Sequence, residues 1–410
     1  MNKPRSSGFA QLAQETSLYP QEKLAKVASS DKSLVIGIPK EVSMQENRVA
    51  LSPGAVQLLT ANGHEVILES QAGVSSKFSD REYSEAGAKI VYSAKEAYDA
   101  QAVLKVEPPT LEEMEMLKPG KVLFSALQPG QTTPEYIKAL NKRRVTAIGF
   151  ELIEDKVGGM PVVRAMSEIA GSTAMLIAAE YLSTVQHGQG IVPGGITGVP
   201  PTNVVILGAG TVAEYAARAA QGLGANIKIF DNHIYRLRRI RHALGQQVYT
   251  SILDTTTLRE ALKHADVLVG AIRAEKGRNL CVVTEEMVME MKPDSIIIDV
   301  SIDQGGCVET SDLTDHRNPV FRKHDVIHYC VPNIASRVAR TATLAFSHIF
   351  TPILLQAGEM GGLEEMIFSQ RWFMRGVYSY KGSLVNLHLA RKHNMEYRDI
   401  ELFRAALGGF

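Results

Sequence analysis

The segment Gly208-Ala209-Gly210-Thr211-Val212-Ala213 has the residue types and spacing to do chemistry. It follows the apolar run Val204-Val205-Ile206-Leu207 and leads into a helix-forming stretch from Glu214 to Leu223. That order gives the glycines a strand-turn-helix setting. Gly208 allows the tight turn, Gly210 lets the backbone approach a pyrophosphate, and Ala213 is small enough for helix and strand to pack closely. Thr211 and Val212 fall where free N–H groups and the positive end of the helix dipole favour an anion. Asp231 closes the next apolar run, Ile227-Lys228-Ile229-Phe230, about twenty residues beyond Gly210, the spacing of a carboxylate that binds the adenosine ribose hydroxyls. A carboxylate there repels a 2′-phosphate, so NAD is expected rather than NADP. Arg236, with Arg238 and Arg239, offers the competing arrangement, a set of cations for a phosphate, or else a solvated helix face.

The elements that must position this turn alternate along the chain. Leu34–Ile38 reads as a strand, Pro53–Asn62 as a helix and Glu65–Glu69 as a strand, and the rhythm continues through the apolar runs 89–92, 102–106, 121–124 and 144–148. The pattern predicts a parallel sheet covered on both faces. Met166–Leu182 predicts a long helix bridging to a second α/β series that begins at Val204. After Asn333 the chain reads as helical, from Ala339 to Leu355, and is expected to recross to the first domain. The fold class expected is α/β, with two Rossmann-like doubly wound domains. Residues 1–33 form an N-terminal extension, with a helical pattern over 21–27. Residues 34–163 and 339–410 form a discontinuous substrate domain, and 164–338 the NAD-binding domain.

Composition narrows the partners. Lys+Arg 44 balances Asp+Glu 44, so no overall field draws the chain to nucleic acid or an anionic membrane. No run reaches the roughly 18 uncharged apolar residues of a bilayer span. Three cysteines without a CxxC pair suggest neither a disulfide framework nor a zinc site, and fit a reducing cytoplasm. A small-molecule substrate is expected, with no metal.

Several segments together resemble the alanine dehydrogenase family, which includes the NAD(H)-binding component of transhydrogenase. They are Ile36-Gly37-Ile38-Pro39-Lys40-Glu41, Glu46-Asn47-Arg48-Val49-Ala50-Leu51, Met166-Ser167-Glu168-Ile169-Ala170-Gly171, Ile302-Asp303-Gln304-Gly305-Gly306-Cys307 and Tyr329-Cys330-Val331-Pro332-Asn333. The resemblance implies chemistry in a cleft between the domains, oxidation of an amino acid to a 2-oxo acid with NAD, and a homo-oligomer, a hexamer in the family. It implies that Arg48 clamps the substrate carboxylate, a task suited to a planar guanidinium. Ser167 would contact the cofactor, and Asn333 would accompany Asp303. Asp303 also follows a buried strand, at the carboxyl end where open α/β sheets place ligands.

Two positions depart from the family. Its histidine, a proton shuttle, is matched by Gln128 in Phe124-Ser125-Ala126-Leu127-Gln128, and its second lysine by Glu107 in Lys105-Val106-Glu107-Pro108-Pro109. An amide exchanges no proton near neutrality, and a carboxylate repels a substrate carboxylate. Lys105 survives and is expected to pair with Glu107, two residues along one strand face, or to take the lysine role if the register slips by two. Arg164 and the polar stretch 273–279 also differ. Three readings follow: an alanine dehydrogenase; a related oxidoreductase for another amino acid, in the manner of saccharopine dehydrogenases; or a catalytically impaired NAD(H)-binding protein.

Overall fold

A computed structural model describes residues 33–43, 45–128, 132–155, 157–273 and 281–407. The expected extension over 1–33, apart from Ser33, and residues 274–279 of the polar stretch lie outside them.

Two sheets carry the molecule. The first contains β1 (Val35–Ile38), β2 (Glu65–Glu69), β3 (Lys89–Val91), β4 (Ala102–Leu104), β5 (Val122–Ser125) and β6 (Thr146–Gly149). The second contains β7 (Asn203–Leu207), β8 (Asn226–Phe230), β9 (Tyr249–Ser251), β10 (Val267–Gly270), β11 (Ile296–Asp299), β12 (Val320–Lys323) and β13 (Val326–Tyr329). The chain then returns to the first sheet with β14 (Val377–Tyr380) and β15 (Ser383–Leu384). The spatial orders are β15-β14-β6-β5-β4-β1-β2-β3 and β12-β13-β11-β10-β7-β8-β9. Each sheet is parallel through its centre; β12 and β14 run against it, and β15 pairs antiparallel with β14 at the edge. In both, the strand order reverses beside the first strand of the set, between β1 and β4 and between β7 and β10, which creates a crevice at the carboxyl ends.

Five helices matter for the site: α1 (Pro53–Ala61), α2 (Pro161–Tyr181), α3 (Thr211–Gly222), α4 (Ile234–Leu244) and α5 (Ala339–Glu359). The bridging helix starts at Pro161 rather than Met166, because proline at the first helical position costs no hydrogen bond. Strand boundaries move for similar local reasons. Arg144 has φ +53°, so β6 begins only beyond it. The C-terminal return, expected as helices alone, also brings two strands, which extend the first sheet past β6. Helices α2 and Ile334–Glu359 are each long and apolar enough to cross a membrane by length and composition. Both serve as core helices in the fold, packing on each other and on the neighbouring elements.

Helix α5 is fixed to the first sheet by aromatic rings. Phe346 and Phe350 lie 5.7 and 5.0 Å from Phe150, and Phe350 lies 5.2 Å from Phe124 of β5. Each such pair contributes about 0.5–1.5 kcal/mol beyond its buried area. The second sheet is lined by β-branched side chains of β7, β10 and β11, fully buried on both faces as a parallel sheet requires. Gly171 of α2 meets α3 so closely that a Cβ there would lie 2.3 Å from the carbonyl oxygen of Val212.

Candidate active site

At the end of β7, Gly208 takes φ +99°, and a Cβ on it would fall 2.4 Å from the carbonyl oxygen of Ala271. The turn therefore hugs the neighbouring strand. Around Gly210 the situation is opposite: a Cβ there would meet nothing within 4 Å, which leaves the backbone bare in front of the α3 N-terminus. A pyrophosphate fits that opening, with the first-turn N–H groups of Thr211, Val212 and Ala213 unpaired within the helix. Ala213 is fully buried against the sheet. Asp231, buried at the end of β8, accepts from the N–H of Ala209 at 2.7 Å and from the N–H of His233 at 2.7 Å. The residues present fit a dinucleotide.

Arg236 does not face the turn as a bare cation. Its Nε donates to the Tyr235 hydroxyl at 3.0 Å, and its guanidinium lies 5.7 Å from that ring centre. Arg239 instead donates to the Ala209 carbonyl at 2.8 Å, bracing the turn. Ser167 is not a helix cap. It sits inside α2, one turn before the Gly171 contact, because the helix begins six residues earlier than Ser167.

Across the cleft, the crevice between β1 and β4 is filled by charge. Glu41, just past β1, accepts from Lys105 Nζ at 2.5 Å and from the N–H of Val106 at 2.6 Å. Lys105 is 1% exposed, with Glu113 a second carboxylate 3.8 Å away. Burial pushes the Glu41 carboxyl up to about 7, against the opposing pull of Lys105. Lys105 thus pairs with Glu41 and not with Glu107. The strand expected to carry both ends at Leu104, so strand alternation does not extend to the two residues. Glu107 is half-buried, its carboxyl raised by burial and by Glu46, with the Ser43 hydroxyl as a hydrogen-bonding partner.

Arg48 is buried and its fork is occupied. Nε donates to Glu46 Oε1 at 2.7 Å and Nη2 to Glu46 Oε2 at 2.5 Å, while Nη1 lies 3.3 Å from the Met166 sulfur. Asn333, from the other domain, donates through Nδ2 to the same Glu46 Oε2 at 3.0 Å. His316 bonds the Asn333 carbonyl at 2.9 Å, and its own N–H donates to Gln45 Oε1 at 3.0 Å. Burial holds the His316 imidazole below its ordinary range. Arg48, Glu46, Asn333 and His316 therefore form one network across the cleft.

Asp303 lies on the short 3₁₀ turn Ile302–Gln304 after β11. Its carboxyl is open at the surface of the cleft, yet the surrounding walls raise it above the usual range, with Arg273 acting in the other direction. Gln128 follows β5 with φ +47°, and its N–H donates to Glu151 Oε1 at 2.8 Å. The Tyr378 hydroxyl of β14 donates to that same oxygen at 2.6 Å. Among the described residues, no group of His, Cys, Asp and Glu has the arrangement to hold a metal. A hollow of about 850 Å³ between α1 and α5 lies apart from this network.

Glu41 and Glu46 were within motifs legible in the sequence, but nothing in their spacing signalled that they would be the partners of Lys105 and Arg48. Glu151 carried no signal, since its role depends on β14 returning to the sheet.

A dinucleotide-type turn facing a charged crevice from a second doubly wound sheet defines a two-domain protein of the nucleotide-dependent oxidoreductase plan. Residues 37–170 match the family described as alanine dehydrogenase/PNT, N-terminal domain, and residues 174–387 match its C-terminal domain. The chain belongs to the alanine dehydrogenase/PNT family. It is 37% identical over 370 residues to an alanine dehydrogenase of Methanococcus maripaludis, covering 90% of this chain and 99% of that protein. It is 39% identical to the alanine dehydrogenase of Bacillus subtilis over 365 residues, 89% of this chain and 96% of that protein. A solved L-alanine dehydrogenase superposes with a TM-score of 0.83 at 35% identity, covering 87% of this chain and 98% of that one. A transhydrogenase from Sinorhizobium meliloti, 24% identical, shares the fold with a TM-score of 0.74 over 86% of this chain and 99% of that one.

Proposed function

We propose that the protein is an NAD-dependent alanine dehydrogenase, which converts L-alanine and water to pyruvate and ammonium while a hydride passes to NAD. The observation that carries this reading is the convergence of Arg48 and Asn333, from opposite domains, on one carboxylate, in a cleft whose other wall is the Asp231-braced glycine turn. Residues 34–163 and 339–410 make the substrate domain in this reading, and 164–338 the NAD domain.

NAD supplies the hydride acceptor when bound. Gly208, Gly210, Thr211, Val212 and Ala213 hold its pyrophosphate, Asp231 its ribose, and Ser167 approaches from α2. Arg48 binds the substrate carboxylate through its fork, and Asn333 orients it. Asp303, with its raised carboxyl, exchanges the proton that imine hydration and collapse demand. Lys105 keeps its buried place beside Glu41 and supports the crevice floor. The neutral net charge and the free cysteines Cys281, Cys307 and Cys330 support a cytoplasmic setting. A homo-oligomer, a hexamer by family resemblance, is supported by the open groove between α1 and α5.

Glu107 favours a second reading. Half-buried without an ion pair among the described residues, it suits a substrate with an extra cation, as in diamino acids. NADH formation measured across alanine, other neutral amino acids and diamino acids decides. Turnover of alanine above all others supports the first reading, and preference for a diamino acid replaces it with the second. NAD binding without any turnover leaves an NAD(H)-binding protein.

A further inference from the structure

Every edge of the Arg48 guanidinium is taken. Nε and Nη2 grip the two oxygens of Glu46, Nη1 rests on the Met166 sulfur, and the Phe346 ring lies 5.2 Å beneath the guanidinium carbon. A thioether is a weak acceptor, so the productive edge of the fork is the one Glu46 holds. That grip has the two parallel bonds by which an arginine binds any carboxylate. The two Glu46 oxygens differ in their other partners. Oε1 also accepts the backbone N–H of Arg48 at 2.9 Å, which tethers it to its own loop. Oε2 takes Arg48 Nη2 from one domain and Asn333 Nδ2 from the other.

We infer that Glu46 is a tethered placeholder, its Oε2 occupying the seat that an oxygen of the substrate carboxylate takes. The inference rests on the reading of Arg48 and Asn333 as substrate ligands. A substrate enters by displacing Oε2 while Oε1 stays on the Arg48 N–H. The loop backbone on either side does not need to move, since Asn47 is held by the Ser336 hydroxyl at 2.8 Å and by Ser76 Oγ on its carbonyl at 2.8 Å. Glu46 remains anionic in the pocket, held below the ordinary carboxylate range by Arg48 against its own burial. The placeholder keeps a buried guanidinium paired when no substrate is present, and it sets substrate affinity by competition. The competent, open fork is a minor population, and apparent affinity is reduced by that fraction.

The substitution Glu46→Gln tests this. Its amide oxygen still accepts from the Arg48 N–H and Nε, but its NH₂ group then faces Nη2 and Asn333 Nδ2, donor against donor, so both are freed. Pyruvate binding to the enzyme with NADH bound is measured by titration, beside KM and kcat for pyruvate reduction and thermal melts for folding. The expected result is pyruvate bound at least about fivefold more tightly, with KM falling and kcat changing less. Unchanged or weaker binding by a folded Glu46→Gln overturns the placeholder role. Glu46→Asp, which keeps the charge, is expected to gain little, and an equal gain in it also overturns the inference. Arg48→Lys is run in parallel. If it binds pyruvate as well as the native chain does, the reading of Arg48 as the clamp fails instead, whatever Glu46→Gln shows.

Discussion

The backbone N–H of Ala209, at the centre of the glycine turn, donates to Oδ2 of Asp231 over 2.7 Å. The carboxylate proposed to select the ribose diol is thus also a brace for the turn proposed to hold the pyrophosphate. NAD(H) is expected to bind well and NADP(H) poorly, because a 2′-phosphate would meet a buried carboxylate already committed to the loop. Asp231→Ala should narrow the difference and weaken both, since the turn loses its brace. Calorimetric titration with the two cofactors measures this, and equal affinities in the native chain reject the assignment.

Gln128 adopts a left-handed backbone, a conformation histidine tolerates better than most side chains. Replacing it with histidine should therefore preserve the loop held by Glu151. Gln128→His combined with Glu107→Lys is expected to raise alanine-dependent NADH formation at least ~30-fold, within the range that acid–base assistance supplies. Strong alanine turnover by the native chain, abolished by Lys105→Ala, would show instead that Lys105 acts on substrate and that the register is slipped.

Glu41 and Lys105 predict a pH signature. Burial raises the Glu41 carboxyl from 4.5 to about 7, so between those values the folded chain holds a proton that the unfolded chain has released. Stability must then fall as pH rises through that window. The double variant Glu41→Gln with Lys105→Met lacks the effect, and should gain on the native chain from pH 4.5 to 7 in denaturant unfolding. Glu41→Gln alone leaves the buried ammonium with only the more distant Glu113 carboxylate and should cost up to about 3–5 kcal/mol.

The groove between α1 and α5 has Leu58, Leu344 and Leu355 in its walls. If oligomer contacts bury it, light scattering will return a multiple of 44.8 kDa. Leu344→Asp should then shift the population toward smaller species without disturbing NAD binding. A native monomer at micromolar concentration rejects the oligomer.

Much of this candidate site is legible in the sequence. The Val204–Ala213 and Asp231 register follows from local rules alone, because strand, turn and helix are each dictated by neighbours in sequence. Arg48, Asp303 and Asn333 were legible through family motifs. What the sequence withheld was pairing. Lys105 was expected beside Glu107 by strand periodicity, but its partner is Glu41, brought in from β1 by a parallel pairing that no local pattern encodes. The Glu46 grip on Arg48 is local, two residues apart, yet its meaning depends on Asn333 arriving from the other domain. Ser167 falls near the start of the expected Met166–Leu182 helix but well inside the observed one, because the helix begins at Pro161, a permitted first residue.

The return of β14 to the edge of β6 has a consequence for the chain while it is being made. Once β6 has left the ribosome, its outer edge presents unpaired N–H and carbonyl groups, and β14 follows only roughly 230 residues later. At a synthesis rate of about 5–20 residues per second, that edge stays open for roughly ten to forty-five seconds. Throughout that time the sheet is unfinished, while the intervening second domain is free to fold as a unit. The carboxylate of Glu151 waits with it, since Tyr378, one of its hydrogen-bond donors, belongs to the late strand. An open edge is a template for pairing with another chain. Truncation before Val377 should therefore yield a protein whose second domain is intact and whose first domain aggregates, and chaperone demand during synthesis should peak in the interval between the two strands.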